Sequence, residues 1–360
     1  MGESCKTSRG CYNFALRYTA ESTPNIITRQ QQVIKNIMNK PKVIVTRRWP
    51  SKVEEKLSGI FDTKLNLQDE PMSKHELQHA LQTADAVLPT VSDKITEEVL
   101  NIRPIRAKIL ASYGVGFNHI DLDAAANAGL TVTNTPEVLT DCTADLAMAL
   151  LLTMARKIGE GERHLRNGDW SGWRPTHMMA TRVSGKTLGL IGMGRIARAV
   201  AKRAILGFDM NVLFYDPTPP ESKILGDLPA FACSSIKEVL SKADFVSIHC
   251  PGGKATHHLI DQEAISMMQP HAFLINTARG DVIDENALVT ALVNQEIAGA
   301  ALDVYEREPK ISNALVSMEN VVLLPHLGSA TTETREAMGM RVLDNLSKFF
   351  EGKEPIDKII

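Results

Sequence analysis

The sequence is short of the features that grip polyanions, cross membranes or build disulfide frameworks. Its charges nearly cancel, with a formal net charge of −2 over 360 residues, so no single-sign field is available for a nucleic acid or an anionic lipid surface. The longest strongly apolar run, around residues 146–154, is far short of the ~18 residues that a membrane-spanning helix needs. Five cysteines, Cys5, Cys11, Cys142, Cys233 and Cys250, are an odd number with no C-x-x-C pair. That suits a reducing cytoplasm better than a disulfide scaffold. No internal repeat is present, and no residue is assigned to a metal.

What is there begins with a leader of different composition. Residues 1–40 are rich in Ser, Thr, Asn, Gln and basic residues, with only Glu3 and Glu21 acidic. They read as an extended or disordered leader with Met38 as a natural start; a basic, acid-poor transit peptide is the other reading. Lys6 stands where a myristoylation signal after Met1-Gly2 needs Ser or Thr.

From Lys42 onward strand-like and helix-like segments alternate. Strands are expected near 43–46, 64–67, 86–88, 108–111 and 130–133, with helices opening at Pro50, Ser73, Asp93 and Asp121. A helical pattern over 143–167 follows Thr140-Asp141, good N-cap residues, and stops at Gly168, a natural C′ residue. After a Trp-containing connection at 170–175 a second series starts at Leu188, with strands at 211–215, 245–248, 272–275, 298–302 and 321–324 and a last helix over 331–350. The length, with 44% hydrophobic and 23% charged residues, accommodates two such domains with separate cores. Repeated βα units imply parallel sheets covered on both faces.

The sharpest stretch is TLGLIGMGRIARAV, residues 187–200. An apolar strand runs into Gly192, Gly194 and Ala197, matching G-x-G-x-x-G/A at a strand-to-helix turn. A pyrophosphate can approach the backbone only where no Cβ intervenes, and N–H groups at a helix start favour its charge. The same glycines would also serve a tight turn that needs them for packing alone. A second apolar run, 211–215, ends in Asp216, about 20 residues after the turn, where an acid can accept hydrogen bonds from a ribose. A strand-end Asp is otherwise a common turn residue.

Three later strand ends carry the segments NTARG (276–280), DVYEREP (303–309) and PHLGS (325–329). In an open parallel sheet, ligands bind outside the carboxyl ends of the strands, so these loops can converge. An Arg grips a carboxylate with a planar fork, and a His moves one proton near neutral pH, its charged form favoured by a carboxylate beside it. Taken singly, the Arg reads equally as a surface ion-pair partner and the His as a structural histidine.

Together these segments resemble the D-isomer-specific 2-hydroxyacid dehydrogenase family, most closely its glyoxylate/hydroxypyruvate reductase branch. The motifs TLGLIGMGRIA, NTARGDVID, GAALDVYEREP and NVVLLPHLGSATTETR carry the resemblance, which spans about residues 42–350. It implies an α/β fold of two Rossmann-like or flavodoxin-like doubly wound parallel-sheet domains with a cleft between them. Residues 41–140 with 330–360 would bind substrate, and 141–329 would bind the cofactor. By the same resemblance Arg279 binds the 2-oxo acid, Glu308 supports the acid/base His326, and the backbone at Val115 and Gly116 takes the substrate carboxylate. Gly192, Gly194, Arg195, Ile196, Ala197, Asp216, Cys250, Pro251, Thr277, Ala278, Arg279, Asp303, His326 and Gly328 would line the cofactor.

Two positions depart from the family. Ala197 replaces the third glycine, and Asn118-His119 stand where relatives often begin with an acid, so His119 is left as a loop histidine. Asp216 is followed by Pro217-Thr218-Pro219-Pro220 with no adjacent Arg. NAD(H) is therefore favoured over NADP(H), with Lys223 as a residue that would still serve the latter. The expected activity is reduction of a small 2-oxo acid to a D-2-hydroxy acid in a cytoplasmic homodimer, with 170–179 as an interface arm and no nucleic-acid or membrane partner. A short-type phosphoglycerate dehydrogenase and a dinucleotide-sensing binding protein are the alternatives. Glu308 argues against a formate dehydrogenase, which pairs its His with Gln.

Overall fold

The computed structural model describes residues 40–220 and 229–360. The leader apart from Lys40, and Lys223, lie outside the described residues.

A first sheet is built from β1 (Lys42–Val45), β2 (Asp62–Lys64), β3 (Ala86–Leu88), β4 (Ile109–Ala111) and β5 (Thr131–Thr133). The order is β2-β1-β3-β4-β5 with every neighbour parallel, the flavodoxin-like winding. Helices α1 (Ser51–Ile60), α2 (Lys74–Thr83), α3 (Glu97–Leu100) and α4 (Leu122–Asn127) connect the strands. Successive side chains of a strand face opposite ways. Val43 and Val45 accordingly join Val53 and Leu57 of α1 in one core layer, while Ile44 joins Leu77 and Leu81 of α2 in another. This two-sided burial is why β1, β3 and β4 carry apolar runs, while the edge strand β2, Asp62–Lys64, does not.

Two boundaries differ from the sequence reading for visible reasons. β2 sits at 62–64 instead of 64–67, because Phe61 is buried in the core and pins the register while Leu67 is exposed. α3 starts at Glu97 instead of Asp93, because the buried Asp93 carboxylate accepts Thr46 Oγ1 at 2.6 Å and Thr90 N at 2.7 Å and ties a turn instead.

The single helix expected over 143–167 is two: α5 (Thr140–Ala155) and α6 (Ile158–Arg166). Between them Lys157 adopts φ +52°, and Thr181 N bonds to Ala155 O at 2.9 Å, taking a carbonyl that a continuous helix would use. The burial changes at the same place. α5 buries eight side chains and α6 none. Thr140 and Asp141 lie inside α5 and do not cap it; the N-cap is Leu139, and Asp141 instead pairs with Arg203 at 3.0 Å. Gly168 does occupy a left-handed stop, φ +81°.

The second sheet contains β6 (Thr187–Ile191), β7 (Asn211–Tyr215), β8 (Ala230–Ala232), β9 (Phe245–Ile248), β10 (Phe273–Asn276), β11 (Gly299–Leu302) and β12 (Val321–Leu323). Its order is β12-β11-β10-β9-β6-β7-β8, all parallel, with the reversal between β6 and β9. α7 (Arg195–Phe208), α8 (Ile236–Lys242), α9 (Gln262–Ser266), α10 (Glu285–Val293) and α11 (Asn313–Val316) cover it, together with α5. β8 is an addition to the sequence reading. It is an edge strand whose Phe231 is exposed, so it lacks the buried pattern that marks the others.

α12 (Thr332–Phe350) packs on the first sheet, where Met338, Val342, Leu343 and Leu346 share a core with β1, β3 and β4. The chain end then covers the free edge of β5, with Ile359 N on Val132 O at 2.8 Å. An edge left open would be a template for unwanted pairing.

Candidate active site

The glycine turn lies at the reversal of the second sheet. Gly192 has φ +91°, and a Cβ there would stand 3.0 Å from Cys250 N and the His249 carbonyl carbon. Only glycine lets the end of β6 cross β9 so closely. Gly194 is the N-cap of α7, with no side-chain cap and open space where its Cβ would be. The helices α2, α4, α8, α9, α10 and α12 are capped by Ser73, Asp121, Ser235, Asp261, Asp284 and Thr331, whereas α1, α3, α5, α6 and α11 share with α7 the lack of a side-chain cap. The first N–H groups of α7, at Arg195, Ile196 and the buried Ala197, are thus left for an anion from outside the chain.

Asp216 ends β7 beside this turn. Its Oδ2 accepts Met193 N at 2.7 Å and its Oδ1 accepts Thr218 N at 2.8 Å. One carboxylate therefore shapes the turn and keeps lone pairs on both oxygens for hydroxyl donors. Arg195 reaches Glu137 at 3.6 Å. Cys250 and Pro251 follow β9, and burial pushes the Cys250 thiol up to about 11, which keeps it neutral.

After β10 the buried Asn276 braces the turn that carries Thr277, Ala278 and Arg279. Asn276 Oδ1 accepts Ala278 N at 2.9 Å and Nδ2 donates to Arg279 O at 2.8 Å. The sequence reading gave Asn276 no role; an amide between a strand and an Arg was its only signal. Thr277 Oγ1 is buried with no hydrogen-bond partner. A buried hydroxyl without a partner costs about 1–3 kcal/mol, so this atom fits a group that the protein itself does not supply. Together with the open turn at Gly194, it makes these residues suited to a dinucleotide.

Arg279 extends from the second sheet to the loop after β4. Its Nη1 donates to Ala278 O at 2.6 Å and its Nε to Asn118 Oδ1 at 3.3 Å. A Cβ at Gly116 would collide with the guanidinium, so the glycine leaves the space that Arg279 occupies. Burial lowers the basicity of Arg279, while Glu308 and Asp281 oppose that effect. Among the described residues no acceptor is found for the N–H groups of Val115 and Gly116. His119, behind this loop, bonds Ser112 Oγ at 3.3 Å, and burial with the Arg279 charge lowers its pKa to about 4. It is a neutral structural histidine. Asn118 was read from sequence only as a departure; the fold makes it a partner of Arg279.

His326 follows β12 and Glu308 follows β11. His326 Nδ1 lies 2.8 Å from Glu308 Oε2, and Glu308 Oε1 accepts Tyr305 N at 3.0 Å. Burial would raise the Glu308 carboxyl, but the His326 hydrogen bond and charge, the Tyr305 N–H and the Arg279 charge outweigh it and hold it below its usual range. Glu308 is thus ionised at neutral pH. His326 itself has φ +55°, strained for a residue with a Cβ. The buried Asp303 holds that turn, its carbonyl accepting His326 N at 2.9 Å and its carboxylate accepting Leu327 N at 2.6 Å and Gly328 N at 2.8 Å. Burial raises the Asp303 carboxyl despite these donors.

Among the described residues, each one assigned from the sequence to substrate, cofactor or proton transfer therefore lies at a carboxyl-terminal strand end or just beyond. Val115 and Gly116 follow β4, and the rest surround the ends of β6, β7 and β9 to β12. The arrangement combines an anion-ready helix start, a half-buried guanidinium and an imidazole with one nitrogen held by a carboxylate.

Comparison with known proteins identifies the family. Residues 148–328 match the profile of the D-isomer specific 2-hydroxyacid dehydrogenase NAD-binding domain. The glyoxylate reductase of Thermococcus litoralis is 42% identical over 323 residues, 88% of this chain and 96% of that protein. That of Pyrococcus horikoshii is 41% identical over 320 residues, covering 88% and 95%. Among solved structures, the NADPH-dependent glyoxylate/hydroxypyruvate reductase of Sinorhizobium meliloti, crystallised with NADP and malonate, superposes with TM-score 0.79 at 34% identity, covering 89% of this chain and 97% of that one. A Thermus thermophilus protein gives 0.81 at 40% identity, covering 89% and 100%. The chain belongs to the D-isomer specific 2-hydroxyacid dehydrogenase family, a family of oxidoreductases that act on a CH–OH group.

Proposed function

We propose that this protein reduces a small 2-oxo acid, glyoxylate or hydroxypyruvate, to the D-2-hydroxy acid. The observation that carries the reading is the His326–Glu308 pair at 2.8 Å, with Arg279 close enough to act on the same carboxylate. The five-stranded lobe with α12, residues 41–140 and 330–360, holds the acid, and residues 141–329 hold the dinucleotide.

A nicotinamide cofactor held there would supply a hydride to the carbonyl carbon. Arg279 binds the carboxylate and the carbonyl oxygen through charged hydrogen bonds of ~1.5–3 kcal/mol each, and the free N–H groups of Val115 and Gly116 take the rest of the carboxylate. His326 gives a proton from Nε2 to the oxygen as negative charge develops on it, while Glu308 holds Nδ1 and so orients the ring. Asp303 fixes the turn that aims His326. The Asp216 carboxylate beside Gly192 suits ribose hydroxyls and disfavours a 2′-phosphate, which supports NAD(H) over NADP(H).

Two copies form a homodimer through the segment that follows α6, where Trp173 is 81% and Met179 71% exposed. Gel filtration giving a monomer would remove that part alone. The activity is tested by steady-state kinetics with glyoxylate, hydroxypyruvate, pyruvate and longer 2-oxo acids, each with NADH and NADPH. Tight NADH binding with no turnover on any of them would replace the reductase by a dinucleotide sensor.

A further inference from the structure

Beside the loop that carries Arg279 lies a cluster that the reduction does not use. His257, His258 and Glu306 each present one ligand atom, and these atoms all fall within 4.8 Å of one another. His258 Nε2 is 3.3 Å from Glu306 Oε1. That is long for a charge-assisted N–H···O bond, which runs ~2.7–2.9 Å. It is the edge expected of a tetrahedron with bonds of ~2.0–2.1 Å, the zinc–nitrogen and zinc–oxygen length.

The backbone is arranged to bring the two imidazoles together. Neighbouring side chains ordinarily diverge, but His258 has φ +52°, and the rings stack with centroids 3.9 Å apart. An imidazole binds a metal ion through a ring nitrogen, and each ring offers one. Both arms are braced: His258 N donates to Asp281 O at 2.8 Å and Glu306 N to Glu285 Oε2 at 3.0 Å. His257 is exposed, which leaves one side of the set to water or a further ligand.

We propose that His257, His258 and Glu306 bind one divalent transition ion of borderline softness, with zinc the leading candidate and cobalt, nickel and copper its competitors. Two imidazoles and one carboxylate suit these ions, whereas magnesium and calcium require all-oxygen sets. The ion would clamp the segment 252–258 to the turn after β11.

The test uses the full-length protein, stripped with a chelator and dialysed against Zn²⁺ alone, with bound metal counted, and Co²⁺ read by its visible absorption. Uptake of about one ion per chain at micromolar concentration is expected, together with tetrahedral cobalt bands. His257→Ala, a change at an exposed side chain, should weaken binding about tenfold or more, and Glu306→Gln likewise. His164→Ala, which dismantles the other imidazole pair, His164–His177 at 3.2 Å, should leave it unchanged. No uptake by the parent at ~100 μM Zn²⁺ overturns the proposal. So does unchanged affinity in His257→Ala, or loss of binding in His164→Ala instead. Should Glu306→Gln fail to fold, His257→Ala decides alone.

Discussion

The two lobes share a plan, parallel strands sandwiched between helices, yet their strand ends carry opposite kinds of chemistry. Where it faces Arg279, after β4, the first sheet ends in a loop without charge: the Val115 and Gly116 backbone, the Asn118 amide and a His119 that burial holds neutral. The second ends in Arg279, Asp303, Glu308 and His326, all ionisable and linked through hydrogen bonds or mutual charge. A parallel sheet fixes where loops gather but not what they can do. One wall that holds and one that reacts is the division these residues make.

That division is open to direct attack, and the reacting wall should yield the largest effects. His326→Ala should lower kcat by roughly 10²–10⁴ with little change in KM, since it removes a group needed only as charge develops on the oxygen. Full turnover in that variant would end the assignment. Arg279→Ala should both raise KM and lower kcat, together about 10²–10⁴ in kcat/KM for two charged hydrogen bonds of ~1.5–3 kcal/mol. A change in kcat alone would mean that Arg279 does not hold the ground-state acid.

Glu308→Gln should lower kcat about ten- to a hundredfold with little change in KM, since it removes the carboxylate that holds His326 Nδ1. A variant with unchanged kcat would leave Glu308 without a part in the reaction. The holding wall should respond more gently. Asn118→Ala removes one bond to Arg279 and should raise KM by roughly five- to tenfold at near-constant kcat. A kcat loss as large as that of His326→Ala would erase the distinction between the walls.

Stability should depend on acid through two half-buried histidines. His119 and His249 both have folded values lowered to about 4 by burial, below an unfolded value of about 6.5. The unfolded chain therefore binds more protons between these limits, so stability is present above about 6.5 and is lost as pH falls toward 4. Each contributes up to about 2 kcal/mol of this loss at pH ~5. Urea midpoints at pH ~7.5 and ~5 measure it, and His119→Gln should flatten the difference.

Several of these residues were legible from the chain alone because their chemistry is local. The glycine turn needs its glycines at fixed offsets, and the apolar runs of β6, β7 and β9 announce strands buried on both faces. Arg279, Glu308 and His326 each stood in a motif at a strand end. What escaped was of another kind. Asn276 and Asn118 act through partners the sequence does not reveal, one bracing its own turn and the other reaching a guanidinium 161 residues away. The helix break at Lys157 was hidden because its cause, Thr181 taking the Ala155 carbonyl, arrives from a later segment. β8 was hidden because an exposed edge strand need not look apolar.

The sequence by itself determined the two wound sheets, the turn suited to a pyrophosphate and the residue types of the reacting wall, because periodicity and glycine spacing act within a few residues. Only the tertiary structure decided that Arg279 crosses to Gly116 and Asn118, that Asp303 locks the strained His326 turn, and that His257 and His258 meet Glu306. Such contacts depend on how loops far apart in the chain approach one another. That approach is set by the packing of whole elements, which no short stretch encodes.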